Sequence, residues 1–135
     1  MRFVGSFLVI LFALSVTAPP AAAVLQFYKV FETEHLANHP DAEFVALVKK
    51  PANRCYICHL GKKRTHRNDF GTLMDENLDW KKDAKDKEKI SAALKEALAQ
   101  HVDPDDPSSE TYADRINNSQ FPAGELEELK KEPAE

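Results

Sequence analysis

The chain has 135 residues and a formal net charge of −4, which suits one domain and excludes nucleic acid as a natural partner, because no basic excess is present to neutralise phosphates. Its two cysteines, Cys55 and Cys58, are too few and too close together for the disulfide scaffold of a small secreted fold. At 30% charged residues, any core is thin, and a large apolar cofactor at its centre would help to build one.

Residues 1–23 read as a secretory signal peptide. Arg2 supplies the positive start, Phe3 to Val16 form an apolar run interrupted by Gly5 and Ser6, and Pro19 and Pro20 end it. Ala21-Ala22-Ala23 then offers small residues for cleavage after Ala23. The alternative is an uncleaved anchor, although an apolar run of about 14 residues falls short of the roughly 20 that span hydrocarbon. Cleavage predicts an exported protein, periplasmic or equivalent, with no stable membrane insertion and a single domain over 24–135. With Arg2 removed, 17 basic side chains face 22 acidic ones.

The first predicted helix covers 24 to about 36, with Phe27, Val30 and Phe31 on one face. After a break at Ala37-Asn38-His39, Pro40 suits a first helical position, with Asp41 and Glu43 at the positive end of the dipole. Phe44, Leu47 and Val48 make the apolar stripe of this second helix, and Pro51 stops it. Residues 60–83 predict irregular structure, with a helical turn around 72–78. The clearest helix runs from about Lys85 to His101, where Ile90, Ala93, Leu94, Ala97, Leu98 and His101 share a face. The rest, 102–135, reads as a polar extension anchored at most by Tyr112, Ile116 and Phe121, with a short helix through Leu126 and Leu129. No repeat and no alternating strand pattern occurs. The expected fold class is all-α, with its core over about 40–101.

Chemistry concentrates at Cys55-Tyr56-Ile57-Cys58-His59, the attachment pattern for haem c. Each thiol adds to one vinyl group, so both cysteines must face one porphyrin edge, and the adjacent His59 then serves as proximal iron ligand. Three other readings use the same residues. A thioredoxin-like redox pair requires a preceding strand and a βαβ surround. A zinc site requires a fourth ligand from His35, His39, His66 or His101. A Cys55–Cys58 disulfide would make His59 a chance neighbour.

A short apolar helix ending just before this motif, then a loop, then a longer amphipathic helix at 85–101, resembles the cytochrome c superfamily over about residues 40–101. The resemblance implies one covalent haem c held by Cys55, Cys58 and His59 in an all-α domain wrapped around it, with redox proteins as partners. The stretch Gly61 to Gly71, with Arg67-Asn68-Asp69-Phe70-Gly71, also resembles small exported single-haem proteins of undefined role, and no chemistry attaches to it.

The sixth ligand departs from the family pattern, which places a methionine roughly 40 or more residues after the motif. Here Met74 follows His59 by 15 residues and is the distal candidate, against a reading as gap-filling core. His101, His66, His35 and His39 are the other candidates, and a five-coordinate or water-ligated iron is the last. Lys62-Lys63-Arg64 with Arg67 form a basic run that would pair with haem propionates or steer an acidic partner, or else is simply solvated. Phe70 and Trp80 read as core or haem-shielding aromatics. The expected function is single-electron transfer rather than catalysis. A haem sensor or weak peroxidase with an open iron, and a non-haem exported domain, are the rivals.

Overall fold

The computed structural model describes residues 21–133. The expected leader therefore lies outside the described residues except for Ala21, Ala22 and Ala23, which begin the first helix.

Helix α1 (Ala21–Phe31) runs into one π-helical turn, Glu32–Leu36, so the helical path reaches the predicted end by widening rather than stopping. Phe27, Val30, Phe31 and Leu36 are all buried by it. His39 fixes the break that follows. Its Nδ1 accepts from Asp41 N at 3.2 Å, so Nε2 carries the proton and donates to Ile116 O at 2.8 Å.

Helix α2 (Ala42–Lys49) is capped by Asp41 and starts two residues later than the proline-first reading. The Asp41 carboxylate accepts from Glu43 N and Phe44 N, each at 2.9 Å, and satisfies two amides that a proline ring leaves orphaned. Lys50 is extended (φ −57°, ψ 129°), as the residue before Pro51 must be.

A 3₁₀ turn, Arg54–Ile57, leads into a minimal hairpin of β1 (His59–Leu60) and β2 (His66–Arg67). The strands are antiparallel, with His59 opposite Arg67 and Leu60 opposite His66. Gly61 (φ 71°) makes the loop between them possible. Helix α3 (Asp69–Asn77) follows, longer than the helical turn the sequence suggested, because Asn68 caps it. Helix α4 (Lys87–Leu98) is capped by Asp86, and it ends before His101. His101 pairs instead with Thr111 in an isolated bridge, so it does not extend the apolar face of α4.

The stretch after α4 folds too. Thr111 and Asp114 close a reciprocal capping box on α5 (Tyr112–Asn117), and α6 (Leu126–Leu129) lies near the chain's carboxyl end. Tyr112, Ile116, Phe121 and Leu129 join the cluster formed by Phe27, Phe31, Phe70, Met74, Ile90 and Leu94. The core thus reaches well beyond 40–101, and residues 102–133 are part of the domain rather than a polar appendage. Both α1 and α3 pack on α4, whose apolar face is the floor of the molecule. Helices carry this architecture, and the two-residue strands form the only sheet among the described residues. No helix among them is long and apolar enough to cross a membrane.

Phe70 sits at the centre of this packing, 0% exposed, with its ring 5.4 Å from that of Tyr112. Phe70→Ala is expected to cost about 3–5 kcal/mol, read as a fall in the urea midpoint, since so large a cavity collapses only in part.

Candidate functional site

The segment from Asn53 to His59 is held from both sides. Buried Asn53 donates through Nδ2 to Leu47 O at 2.9 Å and ties the turn to α2. On the other side Asn68 Nδ2 donates to Tyr56 O at 3.0 Å and Ile57 O at 3.2 Å. Cys55 and Cys58 flank this turn as free thiols.

His59 opens the hairpin beside them. Its Nδ1 donates to His66 O at 3.2 Å, which leaves Nε2 with the lone pair. Burial, then the Arg67 guanidinium, holds the imidazole below its ordinary value, so the ring is neutral and a competent ligand. A backbone carbonyl on the far nitrogen is also the usual device for orienting a metal-binding histidine.

Cys55, Cys58 and His59 form one wall of a cleft of about 40 Å³. Phe27, Phe31, Ile57 and Leu94 give it apolar faces, and Met74, 1% exposed, lies among them. Apart from the two thiols and the acceptor Nε2 of His59, the polar residues of the lining carry donors: Tyr28, Trp80, Arg54 and Arg67. Tyr28 Oη and Trp80 Nε1 are buried with no hydrogen-bond partner among the described residues. Burial pushes the Tyr28 hydroxyl up to about 12, with Glu32 adding and Arg54 opposing, so it stays a donor. Among the described residues no carboxylate lines the cleft. Two orphaned donors and two cations around an apolar slot suit a flat apolar group that brings its own carboxylates, as haem does.

The volume is tighter than the chemistry. The rings of Phe27 and Trp80 lie 3.9 Å apart, and Arg67 stacks 4.1 Å over Trp80. Arg67 Nη1 also stands 3.3 Å from His59 Nε2, and its Nε is bonded to Asp75 at 2.5 Å. A porphyrin needs the Phe27–Trp80 pair to part and Arg67 to swing off His59. The donor set fits, and the cleft must open to admit the group.

The other sequence candidates stand elsewhere. His101 binds Ser109 O at 2.5 Å and faces a separate groove with Asp69, Leu73 and Tyr112. His39 is a structural bridge to Ile116, and the exposed His66 contributes its carbonyl rather than its ring. His35 lies against Phe31 at 5.6 Å but outside the cleft lining. Met74 alone among the distal candidates shares the cleft with His59. Lys62 and Lys63 are exposed in the hairpin loop and outside the cleft lining, whereas Arg64 is held by Ala52 O at 3.2 Å and lies over the Tyr56 ring.

The rival readings find less here. Although part of Cys58 reaches the surface, burial of its thiol pushes it up to about 12 against the pull of Arg67. Redox cysteines and zinc ligands need the opposite shift. No group of three or more His, Cys, Asp and Glu is arranged to hold a metal ion among the described residues.

Sequence reasoning missed Tyr28, Arg54, Asn68 and Gly71. Tyr28 and Arg54 carry no local signal, whereas Asn68 is a helix-cap residue three positions before Gly71 and was legible as such.

Two half-buried histidines give the unliganded chain a pH dependence. Burial lowers both His35 and His59 from 6.5, so between that value and their folded ones the unfolded chain binds more protons. Their contribution is complete above pH 6.5 and is lost as pH falls below it. The carboxylates of Asp41, Asp79 and Asp83 are held below 3.8 and lose theirs only lower still. Thermal melts should therefore weaken as pH falls below about 6.5, and His35→Phe should flatten that leg.

The geometry defines a class of site, a helical domain whose apolar cleft joins two thiols, a neutral imidazole and a thioether. Compared with protein-family models, with curated proteins and with solved structures, the chain matches none.

Proposed function

We propose that the chain is an exported monohaem c-type cytochrome that carries single electrons between protein partners. The observation that carries this reading is the shared cleft, in which Cys55, Cys58, His59 Nε2 and Met74 meet among apolar side chains and unanswered donors. Cys55 and Cys58 would hold the haem covalently, which matters outside the cell membrane where a lost haem is not recovered. His59, oriented by His66 O, would be the proximal ligand and Met74 the distal one. Tyr28, Trp80, Arg54 and Arg67 would hold the propionates. The bound group supplies one-electron chemistry between ferrous and ferric iron, and the chain supplies burial, orientation and a fixed ligand pair. A buried thioether beside the iron favours a closed shell and hence a carrier over a sensor. The exposed Lys62 and Lys63 suit an acidic redox partner.

Co-expression with the haem maturation apparatus tests this directly. The expected product is red, keeps its colour through acid–acetone extraction, and binds carbon monoxide slowly in the ferrous form. Colourless protein, or extractable haem, would sink the covalent cytochrome. Rapid carbon monoxide binding would instead favour the sensor or peroxidase.

A further inference from the structure

We propose that Asn68, together with Gly71, is a positioning clamp that builds the attachment turn from the protein's own hydrogen bonds and so sets where the two thiols and His59 stand. Its purpose rests on the haem reading, but its geometry does not.

Asn68 is 2% exposed, between β2 and α3. Its Oδ1 accepts from Gly71 N at 2.8 Å, which fixes the orientation of the carboxamide. Nδ2 therefore faces the turn, where it donates to Tyr56 O at 3.0 Å and Ile57 O at 3.2 Å. The Asn68 backbone N–H donates to Cys58 O at 3.1 Å. With a longer contact from Nδ2 to His59 O at 3.5 Å, one residue thus answers four successive carbonyls, those of residues 56 to 59. Gly71 brings α3 close enough for this. A Cβ there would stand 2.1 Å from Cys58 O, a backbone atom that has no room to give. The stretch from Arg67 to Gly71, which had no chemistry in the sequence, is the other half of the motif.

Helix capping does not account for the arrangement. A cap needs an acceptor, and serine or aspartate provides one as well as asparagine. The donor end, buried and aimed between the two cysteines, is what a cap does not require.

Asn68→Asp and Asn68→Ser separate the two roles, because both keep an acceptor for Gly71 N and remove the carboxamide N–H donors. The shorter serine hydroxyl carries a single proton and cannot serve both Tyr56 O and Ile57 O. In the full chain without haem, the rate at which a maleimide labels Cys58 reports whether the turn is held. Both variants are expected to label on the order of tenfold faster than the parent, as local opening becomes easier. In protein matured with haem, the pyridine haemochrome band tells two thioethers from one, and the singly attached fraction should rise in both. Parent-like labelling and attachment in the two variants would reduce Asn68 to a helix cap and overturn the clamp. So would a parent chain whose Cys58 labels as fast as it does in urea. If Asn68→Asp fails to fold, Asn68→Ser, which removes the carboxamide without adding a charge, decides the matter. If labelling changes as expected while the parent takes up no covalent haem, the haem reading fails and the clamp stands. If the variants attach haem normally while the parent is a covalent cytochrome, the reverse holds.

Discussion

Serine at both Cys55 and Cys58 is expected to leave no haem that survives acid–acetone extraction, down to the level of a chain never matured. Cys55 lies within the 3₁₀ turn and Cys58 caps it, both line the same cleft, and among the described residues of its lining they are the only groups able to bond a vinyl carbon. His59 and the apolar walls remain in that variant, and they should still take up haem reversibly from solution. The expected contrast is between covalent and extractable haem, not between red and colourless protein. Each single serine variant should keep one thioether and show the haemochrome band of a haem with one vinyl left. Equal extraction resistance in the double variant would mean that attachment lies elsewhere, and the site would be lost with it.

Met74→Leu is the second large expectation, and it is spectroscopic. Leucine nearly conserves volume, so at this 1% exposed position the fold should lose less than about 1.5 kcal/mol. The thioether sulfur disappears, however, and with it the only distal candidate that shares the cleft with His59. The ferric spectrum should pass from low-spin to high-spin, the potential should fall, and carbon monoxide should bind quickly to the ferrous form. An unchanged spectrum would return Met74 to the role of a core filler. Met74→Ala is a poorer test, because removing so much buried volume costs about 2–5 kcal/mol by itself.

Much of this was legible in the residues. The helix that became α4 announced itself by period, since Ile90, Leu94 and Leu98 recur on one face, while its start at Lys87, behind the Asp86 cap, falls two residues after the expected Lys85. The motif at 55–59 was legible because its chemistry is local. What failed to show depends on distant partners. His101 was extrapolated onto the apolar face by continuing the period past Leu98, but the bridge to Thr111 takes the backbone out of the helix first. Tyr112, Ile116 and Phe121 looked sparse in a polar stretch. Yet the Thr111–Asp114 capping box was there to be read, and three buried side chains suffice to dock a short helix. The hairpin pairing His59 with Arg67 uses two-residue strands, too short for any alternation to register. Tyr28 and Trp80 became site residues only because folding leaves their polar atoms without partners in one cleft, a fact about three dimensions that no spacing encodes.

The hairpin that presents His59 has one more attachment, and its consequence is a matter of time. Gly61 N donates to Leu129 O at 2.8 Å, and Lys63 N donates to Glu132 Oε1 at 3.0 Å, across 69 residues of sequence. Contacts of that span close late, after the local helices have formed. Synthesis from the amino terminus thus releases the cysteines long before the segment that locks their hairpin. For that interval the turn is shaped by Asn68 while the loop beyond it is still loose. An attaching enzyme would meet thiols already in register on a face not yet sealed. Truncation before Leu129 should prolong that interval indefinitely.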